Sequence, residues 1–282
     1  MTKRPSFNRN YILAELDKLS SKIIVTTRIF IIGGLALISY GLKDATKDID
    51  VVVLRQQDFD ILIKYLTIAG YHALETTLIS QPYEKMEISR MMENDDGFRW
   101  DIFHRSICNR MSFSENMASR ATVFYSRNKL VLSIASKEDI FLFKGITERE
   151  ADLNDMRLLA ESSLDWQVIQ NECVYQSNTS GRTREDALLQ NLIDLRKRYN
   201  IRSPIEKKLR KIAEEKLGED LIVRSIADGL ATIKSISQAK NLPYHLVREY
   251  AKKMEEKGLL KFDKTGSQYE LSLVDGKVRH VK

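Results

Sequence analysis

Cysteine and histidine are scarce, at 2 and 4 residues in 282. Cys108 and Cys173 lie far apart and form no CxxC pair. Neither makes a zinc-type spacing with His72, His104, His245 or His280, so a disulfide framework and a structural zinc site are both excluded. Two free thiols suit a reducing, cytoplasmic compartment. Long apolar runs are also missing, and nothing approaches the roughly 20 residues of a membrane span. The basic opening "MTKRPSFNRN" is not followed by an apolar segment with a small-residue cleavage site, so it does not read as a secretory signal. No internal repeat and no low-complexity tract occurs.

What is present suffices for a real core. Apolar residues make up 43% of the chain, and the length suits one large domain or two ordinary ones. The net charge of +6 is unevenly spread. Residues 181–282 hold 23 Lys and Arg against 15 Asp and Glu, leaving 22 against 24 upstream. A near-neutral first part and a basic last part suggest two jobs, the second directed at an anionic polymer. A helical domain with a charged, solvated surface would carry the same balance.

Periodicity organises the chain. Ile12, Leu13, Leu16 and Leu19 predict a helix over 8–22. "RIFIIGG" reads as a buried strand ending in a glycine pair, and "LALISYG" as a short helix closed by Gly41. "DIDVVVL" is the next strand, and "QDFDILIKYLTIAGY" an amphipathic helix ending at Gly70. Further strands are expected over 83–92, at "FRWDIFH", and at "TVFYS" and "LVLSIA". Ser136 and Asp139 form a capping box that opens a long helix. Helices follow: Thr183 is expected to cap one, Ser203 and Pro204 to start another, and Gly218 to end it. Strands alternating with helices up to about residue 135 argue for an α/β sheet layer. The expected division is an α/β core over 1–135, a helical extension over 136–202 and a separate domain over 203–282.

The chemistry concentrates in "TKDIDVVVL". Side chains alternate along a strand, so Asp48 and Asp50 share one side while Ile49, Val51 and Val53 take the other. Two carboxylates roughly 7 Å apart can share divalent cations, which relieves their repulsion. Asp101, flanked by Trp100 and Ile102 in another apolar strand, needs a partner. If the two strands are neighbours, three carboxylates converge, a donor set suited to Mg²⁺ or Mn²⁺ rather than zinc. Gly33–Gly34, between strand and helix, lets backbone N–H groups approach a phosphate. A solvated strand end and a tight glycine turn are the plain alternatives.

"GGLALISYGLKDATKDIDVVV" resembles the signature of the nucleotidyltransferase superfamily, the DNA polymerase beta-like fold. It is closest in pattern to minimal nucleotidyltransferases of abortive-infection and toxin–antitoxin systems. Gly33, Gly34, Thr46, Asp48 and Asp50 match that signature, and Asp101 matches its third carboxylate. "KEDIFLFKGITEREADLNDMRLL" resembles the helical segment that follows, putting Lys144 on the nucleotide phosphates with Asp152 and Asp155 in the adjoining run. Two segments depart from the pattern. Asp44, beside Lys43, stands where relatives often carry arginine, and Glu150 and Ala151, near Arg149, stand where a basic residue is common. The resemblance implies a mixed sheet with a helical extension, an NTP substrate such as ATP, and two Mg²⁺ or Mn²⁺ ions held by Asp48, Asp50 and Asp101. Those three would be catalytic, and Gly33, Gly34, Thr46, Lys144 and Asp152 would bind substrate. RNA, particularly a tRNA end, or a protein would be the acceptor, and a cognate antitoxin a partner. A membrane is not expected.

Residues 235–262 read as helix–turn–helix, with a short helix from Ser235 to Lys240, a turn at Asn241–Leu242 and a second helix from Pro243 to Lys257. Leu246, Val247, Tyr250, Ala251 and Met254 form its inner stripe, and His245, Arg248 and Lys252 an outer face. Two β segments follow, so the order resembles a winged-helix domain. Such a domain implies nucleic-acid binding, RNA or DNA, through His245, Arg248 and Lys252, or else protein contacts. The sequence thus supports a metal-dependent nucleotidyltransferase. The alternative is a winged-helix DNA regulator whose nucleotidyltransferase domain senses nucleotide without turnover.

Overall fold

Asn8 accepts a hydrogen bond from the Tyr11 amide at 3.0 Å and so opens helix α1, Arg9–Ser20. Local signals of this kind set most of the elements in the computed structural model, which describes residues 4–74, 88–108, 110–146, 150–265 and 268–274. The chain divides into two compact units. One runs to Gln176 and adds Gln190–Ser203; the other comprises Ser177–Leu189 and the residues from Pro204 onward.

In the first unit a two-residue strand β1 (Phe7–Asn8) precedes α1. Then come β2 (Thr27–Ile32), α2 (Gly33–Ser39), β3 (Ala45–Thr46), β4 (Asp48–Val53), α3 (Gln56–Ile68) and β5 (His72–Ala73). Next are β6 (Arg90–Glu93), β7 (Arg99–His104), β8 (Ser106–Ile107), β9 (Met111–Ser112), α4 (Glu115–Arg120), β10 (Thr122–Arg127) and β11 (Leu130–Ile134). The helices α5 (Lys137–Ile146), α6 (Glu150–Glu161), α7 (Trp166–Ser180) and α8 (Glu185–Tyr199) follow, the last two entering the second unit as well.

Among the described residues the main sheet runs β10-β11-β2-β4-β7-β6-β5. It is mixed: β11 pairs with β2, and β4 with β7, in parallel, while β2–β4, β10–β11, β6–β7 and β5–β6 are antiparallel. The α/β architecture with a helical extension therefore stands as expected. Ile49, Val51, Val52 and Val53 are fully buried, which accounts for the β-branched run. Polar side chains enter β4 only at its first end. The strand expected over 83–92 is seen only as Arg90–Glu93; residues 83–87 lie outside the described residues, as does Arg149.

The helical extension is tied on by a buried ion network. Arg120 Nη2 donates to Asp139 Oδ1 at 2.6 Å and to Glu172 Oε2 at 2.8 Å. Ser114 and Gln176 also donate to Glu172 Oε1, so its charge is fully satisfied. The Ser136 cap is formed: its hydroxyl accepts from the Asp139 amide at 3.2 Å.

The second unit holds α9 (Glu206–Ala227), α10 (Ile233–Ala239), α11 (Tyr244–Glu256) and the hairpin β12 (Leu260–Thr265) with β13 (Gln268–Leu273). This helix–turn–helix plus hairpin is consistent with a winged helix. Val247, Ala251 and Met254 of α11 pack with Ile222, Ile236, Leu260 and Leu271. Three local expectations need correction. Helix α8 starts at Glu185, so Thr183 is not its cap. Helix α9 starts at Glu206 with Ile205 as its N-cap, not at Ser203 and Pro204. Gly218 does not end α9, which continues to Ala227. A Cβ at Gly218 would fall 2.4 Å from the Tyr250 ring, so this glycine marks a close helix approach rather than a stop.

Candidate active site

Two adjacent strands create the site. In the parallel register of β4 with β7, Asp48 is opposite Arg99 and Asp50 opposite Asp101. Alternation brings all four side chains to one face, a patch of three acids and one arginine. With Arg4 and Lys47, Arg99 is one of three site cations that sequence reasoning missed. Its Nη2 donates to Asp101 Oδ2 at 2.7 Å and reaches Asp48 Oδ2 at 3.4 Å. Its Nε lies 2.6 Å from Asp101 Oδ1, a close ion-pair contact outside hydrogen-bond alignment. The pairing β1–β3 sets Phe7 opposite Thr46 and leads Arg4 to the same place. Arg4 Nη1 donates to Asp48 Oδ2 at 3.1 Å and Nη2 to the Lys47 carbonyl at 3.1 Å. The signal for Arg99 was present as Arg-x-Asp, matching Asp-x-Asp in spacing, but it becomes meaningful only once the two strands pair.

The glycine pair explains itself sterically. Gly33 has φ +67, and a Cβ there would sit 2.0 Å from Asp50 Oδ2. A Cβ on Gly34 would sit 2.2 Å from Thr46 Oγ1. The Gly34 amide donates to Asp50 Oδ2 at 3.4 Å, and the Thr46 hydroxyl to the Asp48 carbonyl at 3.1 Å. The two glycines thus let Asp50 and Thr46 lie directly against the start of α2.

These groups open onto a cavity of about 380 Å³. Its lining includes Gly33, Gly34, Thr46, Asp48 and Asp50 together with Lys43, Lys144, Asp152 and Asp155. Lys47 lines it too, the third cation missed from sequence. The size fits a small-molecule site. Lys144 Nζ bonds Asp152 Oδ1 at 2.9 Å and Asp155 Oδ2 at 2.7 Å, and Lys43 Nζ lies 2.5 Å from Asp155 Oδ1. Burial alone would lower the Lys144 pKa, but the two carboxylates outweigh it and hold it above its usual value. For Asp155 burial pushes upward, and Lys144 with Lys43 brings the net shift below the ordinary range.

Asp101 differs from its neighbours. It is buried and does not line the cavity. Burial raises its pKa, Arg99 pulls it back and Asp48 raises it again, leaving it at about 6 against an ordinary 3.8. A carboxylate whose folded pKa lies above its unfolded value contributes stability that is present below the unfolded pKa and lost as pH rises. Wild type is therefore expected to lose thermal stability relative to Asp101→Asn as pH climbs from about 4 to beyond 6. Parallel melting curves across that window check this; a difference that stays flat contradicts the raised pKa.

The three acids match an oxygen-preferring divalent cation in donor type. Among the described residues no group of three or more His, Cys, Asp or Glu side chains is placed to hold a metal ion. Arg99 and Arg4 engage Asp48, and Arg99 engages Asp101. His245, Arg248 and Lys252 are exposed on α11 in the second unit. Among the described residues, no helix is long and apolar enough to cross a membrane.

Residues 11–202 match the model of a protein family described as "Nucleotidyltransferase of unknown function (DUF6036)". No curated protein matches significantly. A crystal structure from H. pylori, provisionally assigned as a nucleotidyltransferase, aligns over 73% of this chain and 99% of its own at 15% identity. The TM-score of that match is 0.36, too low to equate the two folds.

Proposed function

The chain belongs to this family of nucleotidyltransferases, and from that premise we propose that it moves a nucleoside monophosphate from an NTP to an acceptor hydroxyl. The observation that carries the reading is the cavity itself, which Asp48 and Asp50 line together with Gly33, Gly34, Thr46, Lys43, Lys47 and Lys144. Carboxylates and lysines lining one cavity suit a triphosphate whose α-phosphorus must approach the acids while its tail is neutralised.

The acceptor oxygen attacks the α-phosphorus, the bond from that phosphorus to the β-phosphate bridging oxygen breaks, and pyrophosphate leaves. The hydroxyl proton passes to a carboxylate, first to Asp50 on the cavity wall and through it to the buried cross-strand neighbour Asp101, whose pKa of about 6 is nearest to neutrality. Lys144, held by Asp152 and Asp155, neutralises the departing phosphates as a positioned charge. Gly33, Gly34 and Thr46 shape the wall against which the phosphates lie. Asp48, Asp50 and Asp101 are the residues that would hold Mg²⁺ or Mn²⁺. A bound ion there would stabilise phosphate charge and lower the pKa of the acceptor hydroxyl. RNA and protein hydroxyls are the acceptors to try. A cognate antitoxin rests on the resemblance alone.

One observation favours a second reading. Arg4 and Arg99 already neutralise Asp48 and Asp101, as would suit a domain that senses nucleotide without turning it over. Incubation with α-labelled and, separately, γ-labelled NTP plus Mg²⁺ and RNA or protein acceptors separates the two. Nucleotidyl transfer puts α-label, never γ-label, on the acceptor. NTP binding with no label on any acceptor would sink the enzyme in favour of the sensor.

A further inference from the structure

The second unit carries a groove of about 690 Å³. One wall is α11, where Tyr244, Arg248 and Lys252 recur every four residues and so share a face. The other is the β12–β13 hairpin, which contributes Phe262 and Tyr269 with ring centroids 6.4 Å apart in an edge-on pair. Lys234 of α10 adds a third cation.

Two features set this groove apart from an ordinary charged surface. Its tyrosines are open to solvent, Tyr244 by 52% and Tyr269 by 57%. Its cations are also uncommitted: Arg248, Lys252 and Lys234 make no ion pair among the described residues. Lys253 on the neighbouring flank of α11 pairs with Glu215 and Glu249, and Lys257 just beyond it with Glu219. Glu255 is the acid on the groove wall and bounds the positive track.

We infer that this groove binds single-stranded nucleic acid, with bases stacked on Tyr244 and Tyr269 and phosphates neutralised by Lys234, Arg248 and Lys252. A duplex keeps its base faces inside the stack, so exposed tyrosine rings gain nothing from it. A single strand presents those faces and its phosphates together. His245 is exposed but does not line the groove, because one residue along a helix turns a side chain by about 100°. Of the three α11 residues singled out from sequence, only Arg248 and Lys252 belong to this surface.

Fluorescence anisotropy on the full chain tests this, using a labelled 12-nucleotide RNA, the same sequence as DNA, and the annealed DNA duplex, each over a salt series. Both single strands are expected to bind at least about tenfold more tightly than duplex, whether RNA exceeds DNA or equals it. Tyr244→Ala and Tyr269→Ala should each weaken single-strand binding on the order of tenfold, whereas Tyr269→Phe keeps the ring and the affinity. Arg248→Gln with Lys252→Gln should flatten the salt slope by about 1.4. Duplex binding as tight as single-strand binding, tyrosine variants with unchanged affinity, or no binding to any strand at low salt would each overturn the inference. Binding needs no NTP, so a chain that holds single strands but moves no label overturns the proposed activity and leaves this inference standing.

Discussion

The Asp48→Asn/Asp50→Asn variant is expected to lose transfer of α-label to acceptor by a factor on the order of 10³ or more. The two carboxylates form the acidic edge of the cavity, and amides of the same shape neither carry the charge nor bind a hard cation well. The same change should leave folding nearly intact. Asp48 is attracted by Arg4 and Arg99 and repelled by Asp101, so removing its charge loses and gains at once. The Asp48 side chain is also partly exposed, which further weakens the ion pairs it gives up. A shift of no more than a few degrees in Tm is expected. Initial rates set beside melting curves decide the matter. If these aspartates only solvated a strand end, neither quantity would move, and a normal rate in the double variant removes them from the chemistry.

Replacing Arg99 with methionine is expected to destabilise the fold by about 3–5 kcal/mol. Arg99 and Asp101 are 4% and 1% exposed, so at pH well above 6 the loss leaves a buried group that must either stay charged without its partner or take up a proton. Methionine fills much of the same volume, which confines the effect to charge. The Asp101 pKa, already at about 6, should climb further, because Arg99 is the group that most strongly lowers it. Adding Asp101→Asn to Arg99→Met should recover much of the lost stability, since no buried charge then lacks its partner. Denaturant unfolding of the two single variants and the double variant measures that coupling. Strictly additive losses would show that the contact between Arg99 and Asp101 carries no energy of its own.

The local code of this chain was easy to read where one chemical pattern sufficed. Ile49, Val51, Val52 and Val53 are β-branched and fully buried, and no other element suits them as well as a central strand. Asp48 and Asp50 follow from alternation alone, and the α11 stripe of Val247, Ala251 and Met254 follows from helical spacing. Glycine was harder, because its meaning depends on what approaches it. Gly33 and Gly34 read as a phosphate loop from sequence, which does not show that the Asp50 and Thr46 side chains lie directly against them. Gly218 reads as a stop, whereas Tyr250 is pressed against a continuous helix.

By itself, the sequence determined which residues could carry charge to a strand end, which faces would be buried, and that strands and helices would alternate before a basic helical part. These are properties of neighbours along the chain, set by backbone periods of 2 and 3.6. Only the tertiary structure decided that Asp50 lies opposite Asp101 and Asp48 opposite Arg99. It also brought Arg4 across to Asp48, 44 residues away, and Tyr244 and Tyr269 to one groove. Strand register and long-range ion pairing depend on which segments meet. That is settled by the packing of the whole sheet and the cost of leaving a buried charge alone, and no local pattern encodes either.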